Sequence, residues 1–324
     1  MHSNALEVLE ALRQRHFWTH REAELTRNLS RLLKQTEDGA LAPSPHRFSS
    51  LGETRGLVVT GPSGAGKSNA LQYCFNNITK HWDQSEDRRP FIKIDVPSLD
   101  SLKDLGIATI KQTGYFEVSS SRERWSIWDF VRYRFSLVGT AVYWVDEAHD
   151  IFRHGETKWI LKALKNLMAG PSAVVVVLSG VSRLRDDLAA DGEIRRRFRG
   201  YEIPPVDPIA ERDLMERVLA TYAAAVGIEY PDEADILDRL LHGIDNRLGR
   251  AIEIMLDALG MAIEAGEQKL DRQHFAEAWA MHLECPKGAN VFVVENWPDV
   301  EPVRDSPQNL LVPQKRGKRK SSSR

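Results

Sequence analysis

Residues 56–68 read GLVVTGPSGAGKS, and this stretch decides the fold. Its first five residues form a short apolar, β-branched run of the kind found in strands buried on both faces. The next eight satisfy the spacing G-x-x-x-x-G-K-[ST], and NALQYCFNN (69–77) continues in helix-compatible composition. Strand, glycine-rich loop and helix in that order make a phosphate cradle. Gly61, Gly64 and Gly66 let the backbone bend so that its N–H groups converge on phosphate oxygens at a helix N-terminus. Lys67 adds a point charge for the β- and γ-phosphates, and the Ser68 hydroxyl is a ligand for Mg2+. The whole loop, Gly61, Pro62, Ser63, Gly64, Ala65, Gly66, Lys67, Ser68 and Asn69, is therefore the candidate ATP site.

Such a cradle needs an acidic partner at the end of another buried strand. AVYWVDEAH (141–149) supplies it. Asp146 is the candidate magnesium ligand, and Glu147 the candidate activator of the attacking water. His149 completes a DEAH string, but no other helicase motif accompanies it. The next apolar run, AVVVVLSG (173–180), ends in Ser179. A polar residue there lies where open α/β sheets bind ligands, so Ser179 is a candidate contact to the γ-phosphate or the water. With FIKIDV (91–96), these runs predict an α/β fold with a parallel sheet flanked by helices.

The 324 residues, 42% hydrophobic and 28% charged, suit a globular chain of one large or two moderate domains. A net charge of −2 gives no global attraction to polyanions, so any nucleic-acid contact must be local. Cys74 and Cys285 are the only cysteines, which excludes a disulfide framework and cysteine-pair metal spacing. The N-terminus lacks a signal-peptide pattern and the longest apolar run, AVVVVL, is strand-sized; no membrane span is expected and the cytoplasm is the expected compartment.

Leucine spacing predicts helix over 3–34, and Gly, Pro and Ser over 36–55 predict a linker. His16 and His20 fall one turn apart in this stretch, but without a following Glu they are expected to be surface residues. The expected organisation is an N-terminal helical segment and linker (1–50), a nucleotide-binding core (51–205), a helical region (206–285) and a flexible basic tail (286–324). The tail carries Lys315, Arg316, Lys318, Arg319 and Lys320.

These motifs, in this order, resemble the AAA+ P-loop ATPases. GLVVTGPSGAGKSNAL, YWVDEAHDIF, VVVVLSG, DGEIRRRF and NRLGRAIEIM look most like the TniB/TnsC-type transposition regulators. The resemblance implies a helical lid over the core. It makes Ser179 the sensor I residue and Arg250 the sensor II residue, with Arg247 as the fallback. It places an arginine finger within Arg195–Arg197, with Arg196 or Arg197 favoured. It further implies ATP and Mg2+ as cofactors and a homo-oligomer, ring or helical filament, on double-stranded DNA without sequence preference. The partners would be a DDE-type transposase and, as in some members of that group, a target-selecting protein. Pore-facing loops of such rings correspond to the region holding Lys103, Lys111, Arg122 and Arg124, the candidate DNA contacts. The alternatives are another DNA-handling AAA+ factor, such as a helicase loader or origin-licensing-like ATPase, and a nucleotide switch in signalling.

Overall fold

The computed structural model describes residues 2–85, 87–96, 101–119, 121–152, 156–283 and 287–304. The N-terminal part comprises helices α1 (His2–Arg13) and α2 (His20–Ser30) and strands β1 (Leu33–Gln35) and β2 (Leu41–Pro45). The core follows with β3 (Gly56–Thr60), α3 (Lys67–Thr79), β4 (Phe91–Asp95), α4 (Leu102–Gln112), α5 (Arg124–Val138), β5 (Val142–Asp146), α6 (His149–Phe152), α7 (Thr157–Leu167), β6 (Val175–Gly180), α8 (Arg183–Ala189), α9 (Gly192–Arg197) and β7 (Phe198–Glu202). The lid is α10 (Arg212–Val226), α11 (Ile236–Gly243), α12 (Leu248–Ala265) and α13 (Arg272–Leu283).

The core sheet is five-stranded and parallel, in the order β4-β5-β6-β3-β7. The strands β3, β5 and β6 are buried along their whole length, as their unbroken apolar runs predict. One sheet face, with Val59, Trp144 and Val177, packs on Phe75 and Leu71 of α3. The other, with Val58, Tyr143 and Val176, packs on α4, α5 and α7. The lid has its own core around Leu240, Met255, Leu259 and Trp279.

The strand β7 is missing from the sequence reading. Its segment, FRGYE, lacks an apolar run because it is an edge strand, where charged residues reach solvent while Tyr201 turns inward. Gly56 makes room for it: a Cβ there would fall 2.4 Å from the Val176 carbonyl oxygen and 2.5 Å from the Phe198 ring.

The N-terminal segment differs from expectation in two ways. Residues 3–34 form two helices, because Thr19 caps α2: its Oγ1 accepts from Arg21 N–H at 3.1 Å while Glu22 Oε2 accepts from Thr19 N–H at 2.6 Å. The expected linker over 36–55 contains β2, which pairs antiparallel with β1. His16 is half-buried beside Glu22, stacked on Tyr73, and His20 is exposed beside Glu211; they are not neighbours on one helix face. Burial alone would raise the Glu22 carboxyl, but hydrogen bonds from His16 and Thr19 hold it below its usual range. Burial pushes the Cys74 thiol up to about 11, so it stays protonated and inert.

The tail also departs from expectation. Residues 287–304 fold back on the lid, with Val291 and Phe292 buried and Phe292 stacked on Phe275. Arg239 Nη1 holds the segment by donating to the carbonyls of Val291 and Val294 at 2.6 and 2.8 Å. Flexibility beginning at 286 is therefore incorrect for these residues; their apolar anchors are too few to read as an element. The basic cluster from Lys315 to Lys320 and Cys285 lie outside the described residues.

The helix α1 packs on α10 and α12 of the lid, whereas α2 packs on α3 of the core. Arg21, 1% exposed, sits between them. It donates to the carbonyls of Pro204 and Pro205 at 3.0 and 2.7 Å, and forks onto both carboxylate oxygens of Glu211 at 2.7 and 2.8 Å. Burial alone would raise the Glu211 carboxyl, but the Arg21 bond outweighs it and holds the group below the ordinary range. Its contribution to stability is present above that ordinary range and lost as the pH falls through the lowered folded-state value. Arg21→Ala strands a buried carboxylate and two carbonyls, and is expected to cost about 3–5 kcal/mol in urea unfolding. A loss below about 1 kcal/mol, the level of an exposed pair, would refute the clamp.

Candidate functional site: a nucleotide pocket between core and lid

The glycine-rich loop leaves β3 and enters α3 through two left-handed residues, Gly64 at φ 74° and Gly66 at φ 89°. These are conformations that a side chain resists. Lys67 opens α3, is 4% exposed, and its Nζ donates to the carbonyls of Gly61 and Pro62 at 3.0 Å each. Ser68 and Asn69 follow on the surface of the same cavity.

The acid pair ends β5 beside this loop. Asp146 Oδ1 accepts from Ser179 Oγ at 2.6 Å and from Glu147 N–H at 3.1 Å. Ser179 Oγ in turn accepts from Trp144 Nε1 at 2.7 Å. The hydroxyl proton of Ser179, expected to face phosphate or water, is thus committed to Asp146. The buried serine orients the carboxylate. Lys93 of β4 lies beside the same group, its Nζ 3.6 Å from Asp146 Oδ2. Ser68 and Asp146 together offer hard oxygen donors of the type Mg2+ takes, so the donor set fits that ion.

Glu147 adopts φ 50°, one of only three non-glycine residues with positive φ among those described. This strained turn swings its side chain off the strand and into the cavity that Lys67 and Ser68 line. His149, dismissed in the sequence as part of a chance DEAH string, is buried with Nδ1 3.1 Å from Glu147 Oε2.

The lid contributes through the start of α12. The Arg250 N–H donates to the Gly64 carbonyl at 3.1 Å, and a Cβ on Gly249 would fall 2.7 Å from that same oxygen. Arg247, 6% exposed, donates from Nη1 to the Ser63 carbonyl at 3.2 Å. The Arg250 side chain covers Gly64 with its stem and turns its guanidinium to Glu253 at 3.1 Å. Both lid arginines therefore meet the loop, and in this structure Arg247 is the one whose guanidinium bonds it.

Two cavities flank the loop. One is lined by Lys67, Ser68, Asn69 and Glu147 with Arg13, Glu253 and Leu256. The other, of ≈ 500 Å³, is lined by Pro62, Ala65, Ile203, Pro205, Arg247 and Leu248. It is large enough for a small-molecule group, and its apolar walls suit a flat ring. Arg13, Gly249 and Ile203 escaped sequence reading because distant segments bring them here. Lys93 carried a readable signal, as a cation inside a buried strand.

The arginine run falls on α9, whose first turn is capped by Asp191. Arg197 is held within its own chain: Nη2 bonds Glu53, and Nη1 donates to the Lys165 carbonyl at 3.3 Å. Arg195 and Arg196 are exposed and make no ion pair with a described residue. None of the three lines either cavity of its own chain. Of the candidate DNA contacts, Arg124 pairs with Glu156 at 2.5 Å and Arg122 lies 5.2 Å above the Phe130 ring. Lys103 and Lys111 on α4 have no ion-pair partner among the described residues.

A parallel sheet carrying a phosphate loop on β3, an acid pair at the end of β5 one strand removed, and a helical lid bonded to the loop define a P-loop nucleotide-binding fold. The architecture is that of the AAA+ ATPases, and residues 52–188 match the AAA domain family. Solved structures agree. The Aeropyrum pernix ORC1 protein, solved in complex with DNA, superposes with a TM-score of 0.63 at 16% identity, over 85% of this chain and 68% of that one. Cdc6p from Pyrobaculum aerophilum gives 0.62 at 15% identity, over 85% and 70%. The ADP form of the Aeropyrum pernix ORC2 protein gives 0.56 at 15%, over 83% and 70%. No curated protein matches the chain in sequence. No helix among the described residues is long and apolar enough to cross a membrane.

Proposed function

We propose that this chain is an ATP-hydrolysing AAA+ protein that assembles on double-stranded DNA and regulates transposition. One observation carries the assembly: the phosphate cavity is lined by Lys67 and Glu147, its Arg13 is bonded to Asp257, and Arg195 and Arg196 are exposed on α9 with no ion pair among the described residues. A site with that arrangement is completed by a neighbouring subunit. Lys67 holds the β- and γ-phosphates, Glu147 orients the attacking water, and Arg196 of the adjacent copy neutralises charge developing on the γ-phosphoryl oxygens. Ser179 holds Asp146 in place, and Arg247 and Arg250 couple the lid to the loop. Mg2+, held by Ser68 and Asp146, supplies charge neutralisation at the phosphates when bound.

DNA enters through two supports. The motifs from GLVVTGPSGAGKSNAL to NRLGRAIEIM resemble the TniB/TnsC-type regulators, and the ORC1 protein of similar fold was solved with DNA. The transposition role, with a DDE-type transposase as partner, rests on the first. The likeness to ORC1 and Cdc6p favours a second reading, an origin-licensing-like factor, on fold alone.

Electron microscopy with a non-hydrolysable ATP analogue, with and without duplex DNA, tests the assembly. Rings or filaments are expected with nucleotide and DNA, and none from Lys67→Ala, which loses nucleotide binding. A wild-type chain that stays monomeric under both conditions overturns the reading. Transposase-dependent strand transfer in the presence of the assembled protein separates the transposition role from the licensing one.

A further inference from the structure

The strands β4 and β5 pair in register, with Lys93 opposite Trp144 and Asp95 opposite Asp146. Ile92 and Ile94 turn to the face covered by α4 and α5, so Lys93 shares the opposite face with Trp144 and Asp146. Its ammonium lies 4.5 Å over the Trp144 ring, 3.0 Å from Asp95 Oδ1 and 3.6 Å from Asp146 Oδ2. The two carboxylates are not equivalent. Asp95 is 65% exposed and screened by water, whereas Asp146 is only 5% exposed, so the ammonium weighs more at Asp146.

The other oxygen of Asp146 is already engaged by Ser179 and the Glu147 N–H. Oδ1 is thus hydrogen-bonded within the chain, while Oδ2 has the Lys93 ammonium at ion-pair distance. The Trp144 indole contributes twice, by donating to Ser179 and by presenting its ring to Lys93, so one side chain braces both supports of Asp146.

We infer that Lys93 is a positioning residue that competes with the divalent cation for Asp146, setting how much Mg2+ the nucleotide site requires. This rests on the reading of Asp146 as a metal ligand. The ammonium, 3.6 Å from Oδ2, braces the carboxylate on that side. It opposes a second cation by like-charge repulsion across a partly desolvated gap. Removing the charge while keeping the stem against Trp144 should therefore tighten Mg2+ loading, and keeping the charge should not.

The test is binding of a fluorescent, non-hydrolysable ATP analogue across a Mg2+ titration, which needs no turnover. Lys93→Met is expected to lower the Mg2+ concentration for half-maximal enhancement of binding by about tenfold. Lys93→Arg should stay within about twofold of wild type, and Asp146→Asn should lose the Mg2+ dependence. Lys93→Gln replaces the methionine variant if that fails to fold. An unchanged Mg2+ midpoint in the uncharged variant, with Asp146→Asn uncoupled, overturns the role of Lys93 and leaves the metal reading intact. If Asp146→Asn also keeps the full Mg2+ dependence, the metal reading and the inference fall together.

Discussion

Glu147→Gln should bind ATP as wild type does and hydrolyse it about 10²–10⁴-fold more slowly, the span expected when a positioned general base is removed. The substitution keeps the side-chain shape, so the strained turn at φ 50° persists and the effect is confined to the lost carboxylate. That carboxylate faces the cavity beside Lys67 and Ser68, with His149 on its other side. Because binding survives while turnover does not, DNA-bound assemblies should accumulate and outlast those of the wild type. Phosphate release under single-turnover conditions reads the rate, and sedimentation with DNA reads the assemblies. Turnover at the wild-type rate would reduce Glu147 to a structural bend in the chain.

Arg196→Ala should lower turnover of the assembled protein by about 10³–10⁵-fold, the contribution of an arginine finger in related NTPases. Nucleotide binding by isolated subunits should be unchanged, since Arg196 lines neither cavity of its own chain. Arg197, the neighbouring candidate, is bonded to Glu53 and the Lys165 carbonyl. Its alanine variant should show a lowered melting temperature, because Glu53 loses its partner. Mixing Arg196→Ala with Glu147→Gln provides the decisive control. One variant keeps the water activator and the other keeps the finger, so mixed assemblies should regain part of the turnover that each lacks alone. No recovery on mixing would place Arg196 outside the reaction.

The sequence reveals those parts of this site that are contiguous. The loop 61–68 and the pair Asp146–Glu147 are short strings at the ends of apolar runs, and the structure brings Glu147 to the cavity that Lys67 and Ser68 line. Ser179 was legible as a strand-end polar residue, but its direction was not. That depends on Trp144 and Asp146 across the pairing of β5 with β6. The edge strand β7 was hidden because half its residues face water. The split between α1 and α2 was legible in principle, since Thr19 and Glu22 form a capping box, yet leucine periodicity ran through it. Arg13 reaches the site from a segment far from the loop, and no local pattern announces such a contact; Lys93 was legible only as a cation inside an apolar strand.

The chain crosses between core and lid at two places. Residues 14–19 connect α1, which rides on the lid, to α2, which rides on the core, and the stretch through Pro204 and Pro205 connects β7 to α10. Arg21 fastens the two crossings to each other. A lid on a single tether can swing and twist in any direction, whereas a lid on two tied tethers is confined to bending about the line that joins them. Its travel is then close to one coordinate, and whatever closes the cavity over the phosphates must also carry α1 along the same arc. By its packing, the helix α1 thus belongs mechanically to the lid, although in sequence it precedes the core.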